Sequence, residues 1–418
     1  MTATVATDAD EGEAIGRFAS LQLPVYRRLL VGGTFSFLSM MIATTARGWL
    51  AFDLTGTNTA LGGVMIAFGI ASIFMIPLGG VLADRFPKRR VLLVTAGLQA
   101  LVSLLLATAA VTDVIAYWML IVASVVQGAV ISMLGPARLA FIAEAVDRDR
   151  LTNGILLSQS TLQLTRVVGP ALAGVLIGVR TVGVGGVYYI AAACAVGGFV
   201  STIGLPEGRP IRQPSRSPMA DLLDGVRYVR ANPSTAHLLV LSYLVVLIGF
   251  PYIAFLPVMA EDIFDAGAAG YGLLTTAGAV GALATSLALA DVAATRVERF
   301  QSGAAIGFGV TLLLFGLSPV FAVALLVSVV VGATSASFQS LNNSLVLTRT
   351  PVEYHGRIQS LLMLGFSGFG LAALPFGLIA DAVGLRETLV AMGALVTVVS
   401  IVSVVIRVRR APRPAARM

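Results

Sequence analysis

The chain has 418 residues, of which 57% are hydrophobic and only 12% are charged, and its mean hydropathy is +0.91. Soluble domains carry about 25% charged residues, so this composition excludes an ordinary soluble domain and indicates a polytopic membrane protein. The formal net charge is +7. A single cysteine, Cys194, excludes an internal disulfide, and two histidines far apart in sequence, His237 and His355, predict no metal centre.

Twelve long apolar runs follow a polar N-terminal tail, residues 1–27, which lacks the apolar stretch of a cleaved signal peptide. Each run approaches the roughly 20 residues that a membrane-spanning helix needs. Because backbone groups in lipid must find hydrogen-bond partners within their own segment, we predict that all twelve are helices. The predicted spans are 28–52, 59–83, 91–111, 115–136, 153–177, 183–204, 236–258, 268–290, 301–317, 319–341, 358–380 and 388–406.

The cations between the predicted spans indicate how the chain is oriented. Of the 28 Lys and Arg residues, 24 fall in the tails or in loops on one side, and two, Arg180 and Arg386, fall in loops on the other. The remaining two, Arg47 and Arg166, lie inside spans. Cytoplasmic loops carry the excess of basic residues, so we expect a bacterial inner-membrane protein with both termini in the cytoplasm. The positive charge therefore marks topology and contact with lipid phosphates and argues against a nucleic-acid partner.

The longest loop, residues 205–235, separates two groups of six spans. They form an N-terminal bundle at 28–204 and a C-terminal bundle at 236–406, followed by a basic tail at 407–418. The segment DLLDGVRYVR within the loop predicts an amphipathic helix on the inner leaflet, with a solvated tether as the alternative. Its apolar stripe comprises Leu222, Leu223, Val226 and Val229.

The two groups of spans look like weak repeats. Leu-Ala-Asp ends the second span at 82–84 and recurs at the end of the eighth span at 289–291, an offset of 207 residues. Arg150 and Arg357, each placed before a span, are separated by the same offset. Duplicated halves in a polytopic chain are typical of secondary transporters.

The stretch GGVLADRFPKRR, residues 79–90, links the second and third spans. It resembles the signature loop of the major facilitator superfamily, G-x-x-x-D-R-x-G-R-R, with Pro87 in place of the second glycine. The matching positions are Gly80, Asp84, Arg85, Lys88 and Arg89. The resemblance implies that Asp84 joins a charge relay that latches the two halves in the outward-facing state. The alternative is a basic loop that only anchors the topology.

The fifth span contains SQSTLQLTRVVGPALAG, residues 158–174. Gln159, Gln163 and Arg166 are spaced by four and three residues, so they share one helix face, and a polar face in a membrane helix is expected to meet protein or a water-filled path. The next residues resemble the helix-5 motif of the superfamily's antiporters, G-P-x-x-G-G, which implies export. A packing kink with structural glutamines is the alternative. The matching positions are Gly169, Pro170 and Gly174.

Three further stretches resemble one branch of the superfamily. They are ARGWLAFDLTG at 46–56, GPARLAFIAEAVDRDRLTNG at 135–154 and TRTPVEYHGRIQS at 348–360. The branch is the drug:proton antiporter group that includes macrolide efflux proteins and the enterobactin exporter. The resemblance implies an all-α membrane protein in which twelve transmembrane helices form two pseudo-symmetric six-helix bundles. It also implies a monomer, embedded in the lipid bilayer, that acts on a small-molecule substrate.

The charged and polar residues of the spans supply the candidates for coupling and for substrate contact. None of the 21 acids falls near the centre of a span, so Asp53 and Asp84, at span ends, are the candidates for proton coupling. The alternative for Asp53 is a helix end. The predicted substrate cavity comprises Arg47, Gln127, Gln159, Gln163, Arg166, Tyr243, Tyr252 and Gln339. The alternatives are an interfacial belt or packing for the tyrosines and snorkelling to the membrane surface for Arg47.

The sequence predicts a transporter and not an enzyme. It contains no P-loop, so ATP is not the direct energy source, no cofactor is expected, and the proton gradient is the expected driver. We expect export of small amphiphilic organic compounds, drug-like or siderophore-like, by alternating access and proton antiport. The alternatives are an importer or uniporter of an anionic metabolite, which the uncompensated arginines favour, and a non-transporting membrane sensor with the same fold.

Overall fold

The computed structural model describes residues 19–208, 218–289 and 296–410, and these are almost entirely helical. Residues 1–18, 209–217, 290–295 and 411–418 lie outside the described residues, and the third of these segments includes the repeated Asp291. The α-helices are α1 Pro24–Thr55, α2 Asn58–Arg85, α3 Lys88–Val111, α4 Tyr117–Ala145, α5 Leu151–Ile177, α6 Gly183–Ile203, α7 Pro218–Ala231, α8 Pro233–Gly249, α9 Leu256–Val258, α10 Gly267–Ala288, α11 Val297–Gly316, α12 Phe321–Thr348, α13 His355–Ser367, α14 Phe369–Val383 and α15 Leu385–Arg410.

Local sequence explains where several of these helices begin and end. Pro24 and Pro233 occupy the first turns of α1 and α8, where the missing N–H is not needed and the fixed φ suits a helix. Gly56 ends α1 in the left-handed region at a φ of 62°, with its N–H bonded to the carbonyl of Phe52. These signals lie in the sequence itself, so helix ends of this kind follow from local chemistry.

All twelve predicted spans are helical. Eleven described segments are long and apolar enough to cross a membrane, and α11, with 20 residues, occupies the position of the ninth predicted span. The seventh span, Pro233–Ile263, is interrupted because Pro251 and Pro257 remove helical N–H donors; a 3₁₀ segment, α9 and a π-helical turn follow α8. The eleventh span is divided into α13 and α14 at Gly368.

The helix α4 is longer than expected, and the difference moves a charge. The fourth predicted span ends at residue 136, but α4 continues through Pro136 to Ala145. Arg138, which the sequence placed in the following loop, therefore lies inside α4 and is 4% exposed, with its guanidinium over the ring of Phe37. Packing against α1 shields this cation, which a hydropathy window cannot foresee.

The amphipathic helix of the long loop packs on the C-terminal bundle. Leu222, Val226 and Val229 lie against a cluster that contains Leu238, Leu345 and Ile358, whereas Leu223 is exposed. The ring of Tyr228 stacks on Tyr354 at 4.4 Å. The expectation that the whole apolar stripe meets the inner leaflet is wrong for the three packed side chains, because α8, α12 and α13 supply a protein surface for them.

The spans form two bundles of six, α1–α6 and α8–α15. Because the spans alternate in direction, the start of α1 and the end of α15 lie at the same end of the molecule, called here the terminal end. The loops after α1, α3, α5 and α14 and the start of α10 lie at the other end, called here the opposite end. This arrangement places α5 beside α10 and α2 beside α14, where the two halves meet.

Candidate functional site

The two halves touch closely near the opposite end. Gly174 lies three residues before the end of α5, and a Cβ placed on it would overlap the Cα of Gly272 in α10. On the other side of the molecule, a Cβ on Gly62 of α2 would lie 2.6 Å from the Cα of Leu374 in α14. Small residues at both crossings therefore let the backbones meet, and they close the space between the halves at this end.

Asp381 of α14 stabilises the second of these crossings, between α2 and α14. Its carboxylate accepts hydrogen bonds from the backbone N–H groups of Asn58 (2.8 Å) and Thr59 (2.9 Å), the first residues of α2. It also accepts from the Asn58 amide at 2.9 Å and from the Thr59 hydroxyl. An acid at a helix N-terminus satisfies free N–H donors and complements the helix dipole. A carboxylate from one half thus caps a helix of the other.

The polar face of α5 is open on the terminal side of that closure. Gln159 and Arg166 are exposed and Gln163 is half-buried, whereas Pro170 and Gly174 on the continuation of the same face are buried. Within the described parts of the chain, Arg166 makes no hydrogen bond or ion pair. The change from exposed to buried along one helix face indicates a path between the halves that is open at the terminal end.

Arg47 and Gln127 lie in a different place from the α5 residues. They line a small internal cavity within the N-terminal bundle, between α1, α3, α4 and α6, together with Gln99, Ser103 and Tyr188. Arg47 is 5% exposed. The structure therefore divides the predicted substrate cavity into an open α5 face and a buried polar cluster.

The remaining three cavity candidates do not join either group. The hydroxyl of Tyr243 donates to the carbonyl of Leu361 at 2.7 Å and so ties α8 to α13. The ring of Tyr252 lies 6.3 Å from the rings of Phe308 and Phe315 in an aromatic cluster. Gln339 is exposed on α12. Contact of these three residues with substrate stays a prediction. The two tyrosines make packing contacts, and packing was one of the alternatives for them.

The signature loop is only partly described. The side chains of Gly80, Asp84 and Arg85 lie outside the described set, so the charge relay stays a prediction. Lys88 is 1% exposed and forms an ion pair with Glu144 of α4, and the N–H of Arg89 donates to the carbonyl of Glu207 at 3.2 Å. The basic loop is thereby joined to the end of α4 and to the start of the long loop. Asp53, the other proton-coupling candidate, is exposed at the end of α1.

Three residues that sequence reasoning did not select belong to these features. Gln99 and Tyr188 stand in the middle of apolar runs, and an isolated amide in a spanning helix is a usable signal. Asp381 lay near a span end, where an acid is ordinary, so nothing in the sequence distinguished it from Asp53. Among the described residues no group of three His, Cys, Asp or Glu side chains could hold a metal ion.

Twelve spans in two halves, a closed crossing at one end and an open polar face at the other define a membrane transporter of the major facilitator fold. The profile of the transmembrane secretion effector family matches residues 15–416. The chain therefore belongs to that family, within the major facilitator superfamily, and it is a multi-pass membrane protein.

Known proteins agree with this assignment. The enterobactin exporter EntS of Shigella flexneri is 27% identical over 342 residues, which cover 81% of this chain and 80% of that protein. Among solved structures, an inward-facing, unoccupied bacterial homologue of the human lysosomal transporter Spinster has a TM-score of 0.72 at 13% identity, covering 91% of this chain and 96% of that one. The nucleoside transporter NupG has a TM-score of 0.71 at 17% identity, covering 92% and 99%. The two structures share the fold.

Proposed function

We propose that this transporter exports small amphiphilic organic compounds from the cytoplasm by alternating access, in exchange for protons. The observation that carries the proposal is the face of α5, which exposes Gln159 and Arg166 toward the terminal end and is buried against α10 beyond Pro170. A path open at one end and closed at the other is one of the two states that alternating access requires.

The orientation of the chain in the membrane indicates which compartment the open end of this path faces. The basic tails and loops support an orientation in which the terminal end lies in the cytoplasm of a bacterial inner membrane. The open end then faces the cytoplasm, where an exporter takes up its cargo. The relationship to EntS, an enterobactin exporter, supports the same direction. We expect a monomer that uses the proton gradient and no cofactor.

Arg166 favours an anionic or electron-rich cargo. It is a fixed cation on the open path, and no carboxylate of the described residues pairs with it. A cation within a spanning helix costs about 2.5–3.5 kcal/mol on insertion scales, so it is retained for a partner or for function. The same observation favours the second candidate, a uniporter or importer of an anionic metabolite.

Transport into everted membrane vesicles separates these functions. Enterobactin and ethidium serve as an anionic and a cationic probe, and the lumen is acidified relative to the bath. An exporter driven by protons accumulates probe in the lumen, and a protonophore stops the accumulation. Equal flux with and without the pH gradient would remove antiport and leave the uniporter. If neither probe nor a wider panel of amphiphiles moves, the proposal fails and the sensor interpretation replaces it.

A further inference from the structure

The polar cavity within the N-terminal bundle is separate from the path along α5. Its lining comes from α1, α3, α4 and α6, and none of it comes from α5 or from the C-terminal half. The space has room for only a few water-sized groups. A drug-sized cargo needs a cleft of about 300–1,000 Å³, so this cavity does not suit the exported compound itself.

Three buried polar atoms face this cavity without a hydrogen-bond partner in the described structure. They are Oε1 of Gln99, Oε1 of Gln127 and the hydroxyl oxygen of Tyr188. Buried polar atoms in proteins are almost always satisfied, and leaving one unsatisfied costs about 1–3 kcal/mol. Three together indicate that the cavity is built around a hydrogen-bonding occupant.

Hydrogen bonds on the far side of each amide fix the direction of both glutamine oxygens. The Nε2 of Gln99 donates to the carbonyl of Ser36 at 3.1 Å, so a flipped amide would set two oxygens against each other. The Nε2 of Gln127 donates to the hydroxyl of Thr44 at 2.7 Å, and that hydroxyl already donates to the carbonyl of Met40. The cavity therefore presents two fixed acceptors, and its occupant must donate to them.

Arg47 adds a positive charge to the same space. Its side chain is 5% exposed, and no described residue pairs with it or accepts a hydrogen bond from it. A buried charge needs a counter-charge or a dense set of hydrogen bonds to be tolerated. Arg47 donates only, and the Tyr188 hydroxyl can donate or accept, so the occupant must also carry oxygen atoms that accept, preferably with a negative charge.

We infer that the cavity lined by Arg47, Gln99, Gln127 and Tyr188 binds one small hydroxylated oxyanion of the size of bicarbonate. Its charged oxygens accept from Arg47 and Tyr188, and its O–H donates to one glutamine oxygen, with water donating to the other. The inference concerns this cavity and not the path along α5, so it does not rest on the cargo or the direction of transport proposed above. The inference therefore stands or fails independently of the proposed function.

Binding is tested on the full-length protein in nanodiscs at fixed pH and ionic strength. Gluconate, which is too large for the cavity, is replaced stepwise by bicarbonate, formate or chloride, and the thermal unfolding midpoint is followed. Equilibrium dialysis with radiolabelled bicarbonate gives the stoichiometry. We expect a saturable rise in the midpoint that is largest for bicarbonate, with one bicarbonate bound per chain.

Matched variants assign the effect to the cavity. Arg47→Gln is expected to weaken bicarbonate binding at least tenfold, whereas Arg180→Gln, at an arginine exposed in a loop, leaves it unchanged. Gln99→Leu and Gln127→Leu each remove one acceptor, and the variant that removes the acceptor of the O–H should weaken bicarbonate more than chloride, because chloride has no O–H to donate. Gln99→Leu and Tyr188→Phe keep the test decisive if Arg47→Gln fails to fold. A cavity that holds only water predicts no anion dependence, and that result, or an equal response to all anions, overturns the inference.

Discussion

Arg47 and Arg166 show how far a residue's role depends on its neighbours. Both are arginines within predicted spans, and the sequence analysis assigned both to one predicted substrate cavity. In the structure Arg166 is exposed on the face of α5 that lies between the halves, and Arg47 is enclosed by α3, α4 and α6. One belongs to the proposed transport path and the other to the internal cavity.

The first prediction concerns Arg166 as a cargo contact. Arg166→Gln keeps a polar side chain and removes the charge, so flux of an anionic probe in the vesicle assay should fall at least tenfold. The protein should still elute as a single species with an unchanged thermal midpoint, because the exposed side chain has no structural partner. Arg180→Gln is the matched control and should transport normally. Full activity of Arg166→Gln would remove this arginine from the path.

A second residue-level prediction concerns the buried ion pair at the start of α3. Lys88→Met keeps the length of the side chain but removes its charge, and with it the ion pair to Glu144. Breaking a buried pair costs about 3–5 kcal/mol, and we expect about 3 kcal/mol because Glu144 is partly exposed. The loss should appear as a lower thermal midpoint. Arg90→Met, at a neighbouring cation that is 67% exposed, should change the midpoint little; equal losses would contradict the prediction.

At the scale of elements, α2 and α14 are joined by more than close packing. The glycines bring the two backbones together, and Asp381 then bonds the first turn of α2 from the other half of the molecule. A helix N-terminus holds free N–H donors in every conformation, but this carboxylate can serve them only while the opposite end is closed. The contact therefore stabilises one conformation selectively.

Removing the charge of Asp381 should favour opening of the opposite end. Asp381→Asn retains one acceptor oxygen but weakens charge-assisted hydrogen bonds by about 1.4 kcal/mol, which is about tenfold in the opening equilibrium. Cys194→Ser gives a background without native cysteine, and Ala268→Cys in α10 reports on the other crossing. Maleimide should label this cysteine about tenfold faster in the Asp381→Asn variant. The control, Asp113→Asn, lies in a loop at the same end, and an unchanged rate in Asp381→Asn would show that the contact is not a latch.

At the scale of the whole molecule, closure of the opposite end depends on two crossings that act together. Gly174 and Gly272 meet at one of them, and Gly62 meets α14 at the other. Rigid halves that rock against each other must open both crossings at once. A side chain that holds one crossing open should therefore also open the other.

Gly174→Leu tests this coupling. A leucine at the crossing of α5 and α10 cannot be accommodated without separating the helices, so the protein should remain open at the opposite end and transport should be lost. With Cys194→Ser and Ala373→Cys in place, the buried cysteine at the crossing of α2 and α14 should become reactive. Gly303→Leu, at a glycine of α11 with open space around it, is the control. Loss of transport without labelling at position 373 would mean that the two crossings move separately.

The helices, the division into two groups of six spans and the family can be derived from the amino-acid sequence alone. These follow from properties that are local to each segment: length, hydropathy, the cations at span ends and the glycines and prolines of the motifs. The sequence also predicted that Gln159, Gln163 and Arg166 share a face, since periodicity along one helix is sufficient for that.

What those faces contact depends on how the helices pack against one another. The cavity around Arg47 is assembled from four helices, and Asp381 acquires its role from a helix more than 300 residues away in the chain. The apolar stripe of α7 could equally have lain on lipid, and the C-terminal bundle covers most of it. Periodicity gives the direction of a side chain relative to its own helix axis. Which neighbour fills that direction is set by packing between helices, which no single segment encodes.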